Sequence, residues 1–219
     1  MKVISLNATV TASNDRDAEA LRGEMRREGV LLVNLMSAPG AGKTTLLSRL
    51  IGDMRDVRFA VMEADIESTV DAERIEALGA RAVQVHTGGM CHMDAGMTAR
   101  AWREVAGKDV DIAVLENVGN LICPAEYDTG AGCKVMILSV PEGDDKPLKY
   151  PLMFAESDAL VISKVDALGW FDFDVEKCAA RARRLNPDIR VFPLSAKTGE
   201  GMAALEDWLR ARLDGWRKR

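Results

Sequence analysis

Continuous apolar runs of strand length recur along the chain at Val30–Met36, Phe59–Met62, Ala82–Val85, Ile112–Leu115, Val135–Val140, Ala159–Ile162 and Arg190–Leu194. Most do not alternate with polar residues, which is the pattern of strands covered on both faces. Between them, apolar positions fall at helical spacing in Thr44–Met54, Asp71–Leu78, Asp94–Val105, Val175–Leu185 and Met202–Leu213. Strand–helix alternation predicts an α/β fold with a mostly parallel sheet flanked by helices. Asn14–Glu28 reads as a charged amphipathic helix packed outside that sheet. No internal repeat, low-complexity tract or Pro/Gly-rich linker divides the chain. The expected organisation is an N-terminal helical extension over residues 1–29 and one domain over residues 30–219.

Composition narrows the function classes. The 219 residues are 47% hydrophobic and 29% charged, the balance of a folded globular chain rather than a disordered one. A formal net charge of -5 disfavours nucleic-acid binding, because a phosphate backbone demands a basic face. No apolar run approaches the roughly 20 residues that span a bilayer, so membrane insertion is not expected. No secretory signature opens the sequence, and a cytoplasmic location is expected. Four cysteines do not make a disulfide framework in a chain of this length.

The run Val30–Met36 is followed by Ser37-Ala38-Pro39-Gly40-Ala41-Gly42-Lys43-Thr44-Thr45 and then a helix. Strand, glycine-rich loop and helix N-terminus in that order define a P-loop. Gly40, Ala41, Gly42 and Thr45 would cradle phosphates with their amides. Lys43 would reach the β- and γ-phosphate oxygens, and the Thr44 hydroxyl would ligate Mg²⁺. Ser37 stands where the first glycine of this motif is usual. Asp65 follows the second apolar run, and Glu116-Asn117-Val118-Gly119 follows the fourth. Open α/β sheets bind ligands at the carboxyl ends of strands. Asp65 and Glu116 are therefore expected at the Mg²⁺ shell, and the Gly119 amide at the γ-phosphate.

Ser163-Lys164-Val165-Asp166 and Ser195-Ala196-Lys197 end two successive later strands. The pair resembles the guanine-reading motifs of G proteins, with Ser163 in place of the usual Asn. The Asp166 carboxylate can accept from guanine N1–H and the 2-amino group, a donor pair that adenine lacks. Lys164 would lay its stem along the ring, and the Ala196 amide would face the base oxygen.

His86-Thr87-Gly88-Gly89-Met90-Cys91-His92 follows the third apolar run, and Cys123 lies seven residues past Glu116. Cys91, His92 and Cys123 together would offer two thiolates and an imidazole, a set suited to Zn²⁺ or Ni²⁺ with a position left open. From spacing alone, two buried cysteines and a satisfied histidine account for these residues equally well. Cys133 and Cys178 read as core residues, and His86 as structural or peripheral.

Several segments together resemble the HypB family of hydrogenase maturation GTPases. They are Asn34–Thr45, Cys91–Ala95, Glu116–Glu126, Glu142–Pro151 and Ser195–Gly201, spread over residues 30–213. Urease accessory GTPases and nitrogenase-iron-protein-like ATPases share that P-loop group, so the resemblance implies a P-loop NTPase domain of the SIMIBI type. It further implies GTP binding, slow hydrolysis to GDP, GTP-favoured dimerisation and Ni²⁺ or Zn²⁺ held by Cys91, His92 and Cys123 near the dimer interface. It implies a HypA-type zinc/nickel accessory protein and the [NiFe]-hydrogenase large-subunit precursor as partners. The family's Mg²⁺ and phosphate residues fall on Lys43, Thr44 and Asp65. Some members carry an N-terminal CxxCGC motif or a histidine-rich tract, whereas here no cysteine precedes Cys91 and no histidine precedes His86. Nickel storage is therefore not expected. Lys146 and Lys149 are candidates for nucleotide or cross-subunit contacts, and solvated lysines on a loop fit the composition as well. Two other functions remain compatible with these residues: a urease-type maturation GTPase, and a metal-binding chaperone in which nucleotide controls only assembly. An ATPase of the same fold is disfavoured by Asp166 and Ser195-Ala196-Lys197.

Overall fold

Among the described residues, seven strands form one sheet in which every pairing is parallel. The computed structural model describes residues 7–64, 75–107 and 109–218, with side chains from residue 12. The strands are β1 (Leu31–Ser37), β2 (Phe59–Glu63), β3 (Arg81–Gln84), β4 (Ile112–Glu116), β5 (Cys133–Ser139), β6 (Ala159–Ser163) and β7 (Arg190–Pro193). Their order across the sheet is β3-β2-β4-β1-β5-β6-β7. All seven residues of β1 are buried, as are all five of β2, β4 and β6. Cover on both faces explains why these strands read as unbroken apolar runs.

The helices are α1 (Asn7–Glu28), α2 (Lys43–Asp53), α3 (Ala95–Val105), α4 (Cys123–Glu126), α5 (Lys146–Lys149), α6 (Pro151–Ala155), α7 (Val175–Leu185) and α8 (Met202–Arg217). On one face, Leu46, Leu47 and Leu50 of α2, Trp102 of α3 and Leu205 and Leu209 of α8 pack on the sheet. On the other, Phe154 of α6 and Cys178 and Ala182 of α7 meet Met136, Leu138 and Leu160. Each fully buried Leu or Phe contributes about 1.5–3 kcal/mol, so these two layers hold the sheet rigid beneath its loops. Helix α1 begins seven residues earlier than the sequence pattern predicts and sends Leu21 and Met25 into the first of these layers. The helix expected at Asp71–Leu78 lies outside the described residues up to 74, and residues 75–77 are helical.

Asp111, just before β4, locks the end of the sheet opposite the loops discussed below. Its carboxylate accepts from the Arg58 backbone N–H and from the guanidinium groups of Arg58 and Arg217. These bonds hold its carboxyl well below the usual carboxylate range. A depressed folded pKa gives stability that is present above the unfolded value near 4 and lost as pH falls toward the folded one. Both arginines are half exposed, which weakens the pair through solvent screening. Asp111→Asn is expected to cost about 1–2 kcal/mol at pH 7 and progressively less below about pH 4. Urea unfolding of both proteins across that range measures the difference.

Because every strand runs the same way, the loops after all seven emerge along one carboxyl edge. β1 hands the chain toward β2 and β3 on one side, while β4 hands it past β1 to β5 on the other. The loops after β1 and β4 diverge there and leave a crevice between them, the position where such sheets bind ligands.

Candidate functional site

A cleft of about 590 Å³ opens in that crevice. Gly40, Gly42, Lys43, Thr44, Thr45, Glu116, Gly119 and Lys164 all line it, and the buried Ala41 lies behind it. Gly42 has φ 100°, a left-handed conformation that turns the loop sharply into α2. No side chain caps α2, so its first-turn N–H groups offer their positive end to an anion. Lys43 Nζ donates to Ser37 Oγ at 3.0 Å. Ser37, the departure from the usual glycine, thus steadies the P-loop ammonium.

Thr44 Oγ1 donates to Glu116 Oε1 at 3.3 Å, which brings two hard oxygen ligands together at the cleft floor. The donor set fits Mg²⁺, a cation that takes oxygen ligands and keeps several waters. Asp65 lies outside the described residues, one position past the buried Ala64. Gly119 presses on the P-loop: a Cβ there would lie 3.0 Å from Pro39 Cγ and 3.1 Å from Pro39 N. Only glycine allows this close approach without moving the loop.

Ser163, at the end of β6, donates its hydroxyl to Ala41 O at 2.8 Å. The sequence alone shows a missing amide at this position, whereas in the fold the hydroxyl ties the base-reading loop to the P-loop. Lys164 reaches the same loop, donating to Gly40 O at 2.7 Å, and is the sole non-glycine with positive φ among the described residues. With its head anchored, its stem forms one wall of the cleft. Asp166 is exposed in the 3₁₀ turn Val165–Trp170. Val165 N donates to Leu194 O, which joins this turn to the loop that carries Ser195, Ala196 and Lys197. Ser195 is buried and its Oγ accepts from Thr198 N, which shapes that loop. Asp166, Ser195, Ala196 and Lys197 stand outside the lining of the phosphate cleft.

Cys91, His92 and Cys123 converge at a second point of the same edge. Their ligand atoms all lie within 4.8 Å of one another, the one such group among the described residues. Cys91 Sγ donates to Cys123 Sγ at 2.9 Å and lies 3.7 Å from His92 Nδ1. Cys91 is exposed, Cys123 half-buried and His92 buried. The His92 ring stacks on Tyr127, with centroids 3.8 Å apart and planes at 18°. Burial lowers the His92 pKa against the opposing pull of Asp94 and Glu126, which favours the neutral imidazole that metals bind. The hydrogen bond from Cys91, and then burial, raise the Cys123 thiol. Asn120 Nδ2 lies 3.6 Å from Cys123 Sγ and its Oδ1 accepts from Ile122 N, which sets the start of α4. Two soft sulfur ligands and one imidazole suit Zn²⁺ or Ni²⁺ and leave a coordination position open on the exposed side.

A buried amide connects the two centres. Asn117 Oδ1 accepts from Met93 N, adjacent to His92, at 3.1 Å. Its Nδ2 donates to Asn34 Oδ1 of β1 at 3.1 Å. Asn117 and Tyr127 carry no role in the sequence reading, because nothing in their spacing reveals partners in other segments. Cys133 and Cys178 are buried, and burial pushes each thiol up to about 12, as suits inert core residues. His86 is exposed and stands apart from the cluster. Lys149 pairs with Asp145 at 2.6 Å and Lys146 lies 5.4 Å from the Tyr150 ring centroid, so α5 engages both within the chain.

Residues 31–193 match the family model described as CobW/HypB/UreG, nucleotide-binding domain. The hydrogenase maturation factor HypB of Azotobacter chroococcum is 46% identical over 225 residues, covering 99% of this chain and 74% of that protein. The chain belongs to the HypB family of hydrogenase maturation factors. The crystal structure of HypB from Helicobacter pylori in complex with nickel superposes with a TM-score of 0.88 at 38% identity, covering 93% of this chain and 96% of that one. The signal recognition particle receptor FtsY of Elizabethkingia anophelis matches at a TM-score of 0.55 and 14% identity, covering 90% and 72% of the two chains. That distant likeness shows the fold alone. Among the described residues no helix is long and apolar enough to cross a membrane.

Proposed function

We propose that this HypB family member hydrolyses GTP slowly to GDP and phosphate and uses the cycle to control a nickel- or zinc-binding site. In this reading it assists nickel insertion into [NiFe]-hydrogenase. Its partners are a second copy favoured by GTP, a HypA-type accessory protein and the hydrogenase large-subunit precursor. The observation that carries the reading is the single segment Glu116–Cys123. It starts beside Thr44 in the phosphate cleft and ends in the cysteine–histidine cluster.

Lys43 and the amides of the P-loop stabilise charge on the transferred phosphoryl group. Thr44, Asp65 and Glu116 would hold Mg²⁺, which neutralises charge between the β- and γ-phosphates when bound. Asp166 reads guanine, with Lys164 along the ring and the Ser195-Ala196-Lys197 loop at the base oxygen. No glutamine or arginine finger stands out in the sequence, so intrinsic turnover is slow. Cys91, His92 and Cys123 hold the cargo ion.

Gly119 senses the γ-phosphate with its amide and cannot shift without Pro39. Asn117 passes any shift to Met93, and the chain passes it to Cys123. Nucleotide state thereby changes metal affinity, and linkage requires metal to change nucleotide affinity by the same factor. Titration of Ni²⁺ and Zn²⁺ into the protein with Mg²⁺ plus GDP, or plus a non-hydrolysable GTP analogue, tests this. We expect about a 10-fold difference in affinity. Superimposable titrations would overturn the coupling.

A further inference from the structure

We infer that Asn14 of α1 is a positioning residue for the metal cluster, through which the N-terminal helix sets the affinity of Cys91, His92 and Cys123 for their ion. The inference rests on the reading of those three side chains as a metal site.

One side-chain amide spans both ligand-bearing loops. Asn14 Oδ1 accepts from Ala95 N at 2.9 Å, three residues past His92. Its Nδ2 donates to Asp128 O at 2.9 Å, one residue past Tyr127, whose ring stacks on His92. Cys91 and His92 come from the loop after β3, and Cys123 and Tyr127 from the loop after β4. Asn14 therefore bridges the two loops. The chemistry needs an amide at this length. Asn supplies an acceptor for an N–H and a donor for a carbonyl at once. Aspartate could accept from Ala95 N but would repel Asp128 O, and alanine could do neither.

Neighbouring contacts make the bridge stiff. Asp94 caps α3 by accepting from Met97 N, and Asn14 takes the Ala95 N–H of the same first turn. Arg22, two turns along α1, grips the Asp128 carboxylate at 2.6 and 2.8 Å. Asp128 in turn accepts from Gly130 N. Helix α1 is anchored independently: Leu21 and Met25 are buried, and the Arg26 guanidinium lies 4.6 Å from the Trp216 ring centroid. Loss of the Asn14 amide therefore loosens the ligand loops and leaves the helix seated. Groups that orient metal ligands from outside the coordination sphere are typically worth about 10–100-fold in metal affinity.

The test measures Ni²⁺ affinity of the whole chain and the thiolate-to-nickel charge-transfer absorption. The proteins compared are wild type, Asn14→Ala, Asn14→Asp, Arg26→Ala and Cys123→Ala. Asn14→Ala is expected to weaken binding about 10-fold, with an altered absorption band and unchanged nucleotide affinity. Asn14→Asp falls between it and wild type, and Arg26→Ala, which removes one contact of α1 far from the loops and leaves Leu21 and Met25 seated, binds as wild type does. The inference is overturned if Asn14→Ala binds nickel as wild type does, or if Arg26→Ala loses as much. If Cys123→Ala also binds as tightly as wild type, the metal-site reading itself falls. Tight, cysteine-dependent binding that ignores Asn14 removes this inference alone.

Discussion

Asp166→Asn lowers the preference for guanine over xanthine nucleotides by about 10³-fold or more, because it reverses one of the two hydrogen bonds at that edge of the base. In the proposed reading the carboxylate accepts from guanine N1–H and from the 2-amino group. An asparagine amide places a donor where a donor already stands on guanine. Xanthine carries a carbonyl at that ring position, so the amide pairs with it and with N1–H together. The fold supports a strict reading, since Ser163 and Lys164 both fasten this loop to the P-loop. A swing of the Asp166 turn away from the base would also detach Val165 from Leu194. Competition between GDP and xanthosine diphosphate, measured on both proteins with Mg²⁺, reads the switch. Equal GDP affinity in the two proteins would remove Asp166 from base recognition.

Cys91→Ala and Cys123→Ala each reduce Ni²⁺ and Zn²⁺ affinity by about 100-fold or more, whereas Cys178→Ala leaves it unchanged. Each of the first two removes one of three ligands, a larger loss than that of an outer partner. Cys178 is on the buried face of α7 with its thiol held protonated, so it competes for no metal. The pair also tests whether the cluster acts as one site. Removal of either sulfur leaves a thiol and an imidazole, so the two losses should be similar and the double variant little worse. If each cysteine bound its own ion, each single variant would lose one ion per chain and keep the other at wild-type affinity. Metal titrations with a chromophoric chelator as competitor distinguish these outcomes.

The parts of the molecule legible in the sequence are those set by local pattern. β1, β4 and β6 are visible as apolar runs because helices cover both faces of the sheet. The P-loop is visible because the strand, glycines and helix that make it are contiguous. Adjacent Cys91 and His92 mark one half of the cluster, the place of Cys123 after the fourth apolar run offers the other, and the resemblance favours that set over two core cysteines. The single-turn helices α4, α5 and α6 escape notice, being four or five residues long with a proline at N1 or N2. A periodicity of 3.6 cannot be seen in one turn. The early start of α1 is hidden because Asn7-Ala-Thr-Val-Thr-Ala-Ser has no amphipathic contrast. Asn14 and Asn117 are invisible for another reason. Asn14 bonds across 81 and 114 residues and Asn117 across 24 and 83, so only the folded chain names their partners. Ser163 shows the same limit: its sequence position marks a departure, and its role appears only when Ala41 is beside it.

The place of β1 in the sheet has a consequence in time. Its neighbours are β4 and β5, paired through Leu31 with Ile112 and through Val33 with Cys133. During synthesis at about 5–20 residues per second, β1 waits on the order of 5–20 s before the second of them is made. Such non-local pairing also slows closure once the chain is complete. Until β4 is made, a seven-residue strand that ends fully buried has no neighbour to pair with, and until β5 is made one of its edges stays open. The strand that carries the P-loop is thus the first made, and among the described strands it waits longest for its second neighbour, which makes it an exposed point for misassociation in the nascent chain.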